Sequence, residues 1–423
     1  MIDIKQIREN PERYKKAALD KRIDADVDRL IEVARQISQA KKQLQEIATD
    51  KNKIGKSIPK LADGEKAAAL AQLADLKKRE SQYNGEIQDL GPLFEDLMLQ
   101  VPQPADADVP LGRDDTENIE IRTEGDIPTF DFEVKDHLQL GVDLGIIDVE
   151  RGVKLAGTRN YFLKGDGALL HWAVLRYALD LMVEQRGYCP LTVPLLMKDE
   201  AMRGTGYYPG AEEQTYRMER DGLNLVGTAE VPLTAYRMNE LLSAEELPLK
   251  YVGQSSCFRR EAGAAGKDTY GLYRIHQFDK VEQVIICANS EAQSNTHHHE
   301  ILANSEAVLQ GLGLPYRVVN VCTGDLGRGQ AKKFDIETWM PSREGYCETH
   351  SASKFNDFQA RRMNLRYKDP QTQKNLYCHT LNNTVIASPR VLIPVMELCQ
   401  NRDGSITIPA VLRPYMGGRE VIG

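Results

Sequence analysis

The sequence predicts an α+β protein with an N-terminal antiparallel two-helix coiled-coil arm, followed by a larger domain built on an antiparallel β-sheet flanked by helices. Three observations predict it. Two heptad-spaced apolar seams occupy the N-terminal quarter, and a proline-rich acidic stretch follows. Beyond that, short strands and helices mix without the regular βαβ alternation of a doubly wound fold. The expected division is 1–103 for the arm-bearing domain, 104–135 for a linker and 136–423 for the second domain.

Composition narrows the function. A chain of 423 residues is long enough for two domains and a sizeable core. Seven cysteines, at 189, 257, 287, 322, 347, 378 and 399, form no CxxC pair, which argues against a disulfide framework and against a zinc knuckle. No apolar run approaches the roughly 20 residues of a membrane span, and Asp3, Glu9 and Glu12 near the start are unlike a targeting peptide, so a cytoplasmic protein is expected. The net charge of −8 disfavours indiscriminate nucleic-acid binding, although a local basic surface can still recognise RNA.

The arm is expected at about 27–100. Leu30, Val33, Ile37, Ala40, Leu44, Ile47 and Ile54 recur at steps of three and four with Lys51 as the interruption. A second seam runs through Ala69, Leu73, Leu76, Tyr83, Ile87, Leu90, Phe94, Leu97 and Val101, with Glu80 its one polar member. Gly55 to Pro59 and Asp63-Gly64 break the pattern, so the helices should fold back on each other. From Arg35 to Arg79 there are eleven basic and five acidic residues, a balance of +6. Such a surface suits phosphate contacts, and equally a solvated coiled coil used for assembly. Val101 to Thr129, with four prolines and many acids, reads as the linker.

In the second domain Asn160 to Lys164 and Val318 to Val321 read as strands and Ala168 to Gln185 as a helix. Gly187 stops that helix ahead of the strand CPLTVPLL, whose prolines suit an edge or an interface. Gly204 to Pro209 is a glycine-broken loop. Thr228-Ala229-Glu230 follows the apolar run LNLVG, where a hydroxyl and a carboxylate two apart could hold an ammonium group or simply cap a helix. His297 to His299 are adjacent, so they point around a helix rather than converge, and a hydrated helix face is expected rather than a metal site. KKFDIETWMP reads as an inner strand.

Ser255 to Glu282 reads as a long hairpin, two apolar runs joined by a Gly/Ala/Lys/Asp loop. Period-2 alternation puts Arg259 with Glu261 on one strand face, and Arg274, His276, Phe278, Lys280 and Glu282 on another. So much charge suits either a salt-bridged surface or a polyanion site, in which arginine forks grip phosphate and Phe278 stacks a base.

Phe258-Arg259-Arg260-Glu261 followed by the Arg274 to Glu282 strand resembles motif 2 of class II aminoacyl-tRNA synthetases, and HQFDKVE is close to the form found in seryl-tRNA synthetases. The likeness extends over nearly the whole chain, from MIDIKQIRENPE onward. Gly167 to Leu196 resembles motif 1, a dimer-interface helix and strand. Thr380 to Arg390 resembles motif 3, with Asn383, Thr384 and Pro389 where many members have a glycine-rich sequence; Ala352 stands where a cysteine is common.

The resemblance implies ATP-dependent activation of serine and its transfer to tRNA(Ser), and to tRNA(Sec), by a homodimer. It implies Arg259, Arg390 and Glu348 as catalytic residues. ATP would meet Arg259, Arg260, Glu261, Arg274, Phe278, Glu348, Thr349, His350, Ser351 and Arg390, with Mg²⁺ on Glu348 and Ser351. Serine would meet Thr228, Ala229, Glu230, Arg259, Glu282, Asn382 and Thr384. On the arm, Lys41, Lys42, Lys51, Lys53, Lys77, Lys78 and Arg79 would meet tRNA. The competing readings are a specialised or inactive paralogue serving as an RNA-binding scaffold, and a ligase charging a carrier protein, which would have no use for the arm.

Overall fold

The computed structural model describes all residues except 264–269, and the Gly/Ala/Lys/Asp loop expected there lies outside the described residues. The chain forms two compact units, Met1–Pro104 and Ala105–Gly423. In the first, helices α1 (Ile4–Glu9) and α2 (Pro11–Asp20) precede the long pair α3 (Val27–Ser57) and α4 (Asp63–Gln100). Asp26 caps α3 by accepting the Arg29 N–H at 2.8 Å, and Glu65 reaches back to the Ala62 N–H at the start of α4. The 31 residues of α3 span about 46 Å at about 1.5 Å per residue. The break is shorter than expected. Gly55 stays helical, and the reversal is confined to a single 3₁₀ turn at Ile58–Lys60 and the residues that follow it, because only Pro59 lacks the N–H that a helix needs.

Leu30, Val33, Ala40 and Ile47 are buried along α3, and Ala69 and Leu76 along α4. The two polar interruptions meet: Lys51 Nζ lies 2.8 Å from Glu80 Oε2, each side chain about one-third exposed. Lys51 is thus engaged within the hairpin, whereas Lys41, Lys42, Lys53, Lys77, Lys78 and Arg79 are exposed. This pair fixes one register of the helices in a seam that apolar residues alone would let slide.

In the second unit, strands β1 (Ile119–Glu124), β2 (Cys189–Pro190), β3 (Leu249–Phe258), β4 (Gln277–Cys287), β5 (Tyr316–Asn320), β6 (Lys332–Met340), β7 (Gly345–Asn356) and β8 (His379–Ser388) form one sheet, in the order β1-β5-β6-β7-β8-β4-β3-β2. Every pairing is antiparallel except β2 with β3. Helices α5 (Asp166–Asp180) and α6 (Glu291–Leu312) carry Leu170, Val174, Ile301 and Leu309 into a core with Val281, Ile285, Phe334, Ile336, Leu381 and Val385 of the sheet. Alternation sends the neighbours Phe278, Lys280 and Glu282 to the opposite face.

Several expectations change. The linker is stitched to the sheet: β1 lies within it, Asp106 N–H donates to Ala331 O at 2.9 Å, and Asp106 and Asp108 pair with Lys354 and Lys332. Two of its acids thus answer sheet lysines, while Glu117 and Glu120 pair with Arg113 and Arg317. CPLTVPLL is no single strand; Pro190 and Pro194 cannot donate to a ladder, and the segment splits between β2 and a short strand, Leu196–Lys198, in another sheet. The expected strand at Asn160 to Lys164 is reduced to Phe162–Leu163. Gly204 and Thr205 are helical, and Gly206 closes that helix at φ +87°, where a side chain would be strained. The His297 to His299 face is not simply hydrated. His298 is buried, stacked 4.7 Å from Phe334, and holds a bond of 2.9 Å to Ala352 O, so burial drives its pKa down to about 3. Among the described residues no cluster of three or more His, Cys, Asp or Glu could hold a metal, and no helix is long and apolar enough to cross a membrane.

Replacing Lys51 by Glu should lower the melting temperature of the chain, and Lys51→Glu with Glu80→Lys should recover most of the loss. A double-mutant cycle followed by thermal unfolding is expected to return a coupling of about 0.5–1 kcal/mol, the range for a partly exposed pair. Additive effects would show that the pair does not hold the register.

Candidate active site

The sheet face opposite the core opens on a cavity of about 200 Å³. Its walls come from β4, β7, β8 and the loops joining them. Lining it are Thr228, Glu230, Arg259, Glu261, Arg274, Phe278, Glu282, Glu348, Thr349, His350, Ser351, Asn382, Thr384 and Arg390, all expected, together with Tyr207, Tyr273, Lys280 and Gln330. Two expected residues are not among the lining. Ala229 is fully buried in the apolar cluster with Leu233 and Tyr251, and Arg260 is exposed, with its N–H bonded to Gln214 O at 2.9 Å.

The strand-face argument holds for Phe278, Lys280 and Glu282 but not for their neighbours. β3 ends at Phe258 and β4 starts at Gln277, so Arg259, Glu261, Arg274 and His276 stand on the segments beyond. A backbone bond of 2.9 Å from Arg259 N–H to His276 O holds these segments together, while Glu261 turns at φ +52°. That turn brings Glu261 2.7 Å from Arg274 Nε. The Arg259 guanidinium lies 5.2 Å from the Phe278 ring centroid and donates to Gly227 O at 3.3 Å. Burial pulls against its charge, but Tyr207, Cys257, Glu261 and Glu348 outweigh it and hold the Arg259 pKa above the ordinary value. Arg390 lies 4.4 Å over the Tyr273 ring and donates to Tyr273 O at 3.2 Å and to Glu348 O at 3.1 Å.

Glu348 and Ser351 line the same cavity. Burial pushes the Glu348 carboxyl up, but Arg390, Lys333 and Arg259 prevail and hold it below its usual range, so it is charged at neutral pH. Thr349 and His350 turn inward: Thr349 Oγ1 lies 2.7 Å from Thr338 Oγ1 and His350 Nδ1 lies 2.8 Å from Thr349 Oγ1. Burial lowers the His350 pKa to about 3, which leaves a neutral ring. Their side chains support the wall, and their backbone is what they can offer the cavity.

At the other end sits a small polar pocket. Lys280 Nζ lies 2.6 Å from Glu282 Oε2 and 3.3 Å from Thr384 Oγ1, which in turn donates to Glu282 Oε2 at 3.4 Å. Thr228 Oγ1 accepts the Glu230 N–H at 3.1 Å just ahead of the short helix Glu230–Ala235, and it lines the cavity. Gln359 donates to Glu230 Oε1 at 2.9 Å. Burial, reinforced by Glu282, raises the Glu230 pKa to about 7. The Asn382 amide is buried beside the Glu230 carboxyl and helps hold its charge against burial. Asn383, the largest departure from the glycine-rich pattern, points away. Its side chain bonds Gln283, Ser305 and Ser351 O beneath the pocket, leaving Thr384 as the residue that faces inward.

Lys280, Tyr207, Tyr273 and Gln359 are absent from the site set drawn from the sequence. Alternation already placed Lys280 beside Glu282. The others are contributed by loops and a short helix whose approach no periodic pattern signals.

Residues 1–104 match the model of the seryl-tRNA synthetase N-terminal domain, and 215–398 that of the tRNA synthetase class II core domain (G, H, P, S and T). The serine–tRNA ligase of Deinococcus radiodurans is 43% identical over 423 residues, covering 100% of this chain and 99% of the relative. The crystal structure of seryl-tRNA synthetase from Pyrococcus horikoshii complexed with ATP superposes with a TM-score of 0.93 at 35% identity, covering 100% of this chain and 99% of that one. The cytoplasmic serine–tRNA ligase of Naegleria fowleri in complex with AMP gives 0.87 at 31% identity, over 100% and 98% of the two chains. With both halves matched and relatives aligned end to end, the chain belongs to the class II seryl-tRNA synthetases.

Proposed function

We propose that this cavity is where serine and ATP are joined, and that the chain's own residues act mainly by alignment and charge. The family reaction activates serine as seryl-adenylate with release of pyrophosphate, then transfers the seryl group to tRNA(Ser). The observation that carries the site reading is the polarity of one cavity, in which Arg259, Arg274 and Arg390 line it together with a pocket of Glu230, Glu282, Asn382 and Thr384. Arginine forks suit a polyphosphate, and paired carboxylates suit an ammonium and a hydroxyl.

In this reading the serine ammonium rests on Glu230 and Thr228, and its hydroxyl on Glu282 and Thr384. Asn382, which lines the same cavity, adds its amide to the amino-acid contacts. Arg259 lies between the two ends, able to bridge the serine carboxylate and the α-phosphate. The carboxylate oxygen attacks the α-phosphorus as the bond to pyrophosphate breaks. Arg390 and Arg274 take the β- and γ-phosphates, and Arg274 exchanges its Glu261 ion pair for them. That frees Glu261 for the adenine amino group, while Phe278 offers its ring to the base. The charged Glu348 and Ser351 fit Mg²⁺, which would neutralise phosphate charge when bound with ATP. A terminal ribose hydroxyl of tRNA then takes the seryl group and releases AMP.

The exposed basic residues of the arm, Lys41, Lys42, Lys53, Lys77, Lys78 and Arg79, are proposed as tRNA phosphate contacts, with 1–103 the tRNA-binding domain; tRNA(Sec) is proposed as a second acceptor. Trp172 is 61% exposed on α5, and Phe162, in the strand that precedes the helix, is 46% exposed; both are apolar surface that a second copy of the chain would cover. A cytoplasmic homodimer is the assembly proposed. The complete set of charged site residues gives the scaffold alternative no support.

Serine-dependent exchange between ATP and pyrophosphate, assayed across the standard amino acids without tRNA, tests the reading. Glu282→Ala should reduce exchange at least 100-fold while ATP binding by calorimetry persists; retained exchange would remove Glu282 from the serine pocket. A pH profile tests Glu230. Below about 7 its carboxyl is protonated and cannot pair with an ammonium, so kcat/KM for serine should rise with pH and level off above that value. Glu230→Gln should lower the plateau and abolish the acid limb. Trp172→Glu should sediment as a monomer.

A further inference from the structure

Behind the cavity, on the core side of the sheet, one imidazole ties three strands together. His171 of α5 is buried; its Nδ1 lies 2.8 Å from Ser388 Oγ at the end of β8, and its Nε2 lies 3.0 Å from Asp279 Oδ2 on β4. The second carboxylate oxygen of Asp279 accepts from Ser256 Oγ of β3 at 2.6 Å. Asp279 is the cross-strand partner of both Ser388 and Ser256, so the four residues form a row across β3, β4 and β8 clipped by the helix. Burial pushes the Asp279 carboxyl up, but its bonds to His171 and Ser256 prevail and keep it below its ordinary range.

A serine, histidine and aspartate in contact invite comparison with a hydrolytic triad, but the geometry refuses it. Ser388 has no exposed surface and does not line the cavity, so no substrate carbonyl reaches its hydroxyl. What the row does touch is the backbone of the proposed nucleotide site. Asp279 follows Phe278 directly and points to the other face of β4, and Ser388 precedes Arg390 by two residues. The ring offered to adenine and the guanidinium offered to the phosphates therefore stand on two strands whose relative position the imidazole fixes. Glu230, Glu282 and Thr384 of the serine pocket do not touch the row, and Glu282 lies beyond an irregularity in the pairing of β4 with β8 between Val281 and Glu282; Lys280, which follows Asp279 in β4, is the pocket residue that adjoins it.

We infer that His171 is a positioning residue for the nucleotide: by bonding Asp279 and Ser388 together it sets Phe278 and Arg390 at the separation that clamps ATP, while leaving the serine pocket alone. The inference rests on the reading of the cavity as the adenylation site. Its signature is a split between substrates, because a merely structural loss would move both KM values together or neither.

The test is steady-state ATP–pyrophosphate exchange on the full-length chain, with KM for each substrate, for His171→Ala, His171→Gln and Ser388→Ala. His171→Ala should raise the ATP KM at least tenfold with the serine KM within twofold. His171→Gln, which keeps a donor and an acceptor, should recover a substantial part. Adding Ser388→Ala to His171→Ala should cost little more than His171→Ala alone, since both break one network. If His171→Ala does not fold, Ser388→Ala, which removes only a hydroxyl, should show the same split at threefold or more. A lowered melting temperature with an unchanged ATP KM would overturn the inference, as would equal increases in both KM values. No serine-dependent exchange by the unaltered chain would overturn the site reading first, and the inference with it.

Discussion

The pairing of β4 with β3 on one side and β8 on the other is the constraint on which the second unit depends. Its alternation gives one strand two jobs. Val281 and Ile285 enter the core, while Phe278, Lys280 and Glu282 enter the cavity. A slip of one residue would exchange these sets, placing Lys280 and Glu282 among Leu170 and Val174 and stranding valine and isoleucine in a polar cleft. Core formation and site formation are thus one event. The departure from regular pairing, between Val281 and Glu282, falls between the Phe278 ring and the polar pocket around Glu282.

Charge balance decides which groups in that cavity are ready to act. Glu348 and Glu230 are both carboxyls lining one cavity, yet their pKa values move in opposite directions. Three cations, Arg390, Lys333 and Arg259, face Glu348 and keep it ionised, whereas the second influence on Glu230, after burial, is the like charge of Glu282. The first is therefore held charged at neutral pH, as the proposed cation ligand requires, and the second is poised near 7, where the proposed ammonium partner would favour its charged form. Lys280 fills a similar role for Glu282, an internal countercharge where a fully buried acid would otherwise stand alone.

How much of this could be read from the sequence follows from the range of each interaction. The heptad seams are local, so the arm was legible down to its two flaws, Lys51 and Glu80; that the flaws meet each other depends on helix register, which spacing alone does not set. Motif residues were legible as a set because they cluster in short segments with unusual charge. Illegible were the groups whose purpose appears only across the fold. Gln359 holds Glu230 from 129 residues away, and His298 packs on Phe334 and bonds Ala352 O, so its burial cannot be seen from a run of three histidines. The partners of the linker's acids were illegible for the same reason: Asp106 and Asp108 pair with Lys354 and Lys332, more than 200 residues away.

Asn383 shows why a motif departure need not alter a site. A glycine there would leave room beneath the pocket, but a larger side chain is accommodated when the wall behind it supplies partners. Gln283 and Ser305 donate to the Asn383 carbonyl, its amide donates to Ser351 O, and Asn304 completes the network by donating to Gln283 at 2.9 Å. Every polar atom of Asn383 is answered from the sheet or from α6, so its burial carries little desolvation cost. The single Ser305 proton can go instead to Thr384 O, 2.8 Å from the same hydroxyl, which steadies the backbone that presents the Thr384 hydroxyl to Glu282. The substitution therefore acts through the residue beside it: the polar asparagine anchors the strand from behind, and the threonine keeps the hydroxyl that the pocket uses.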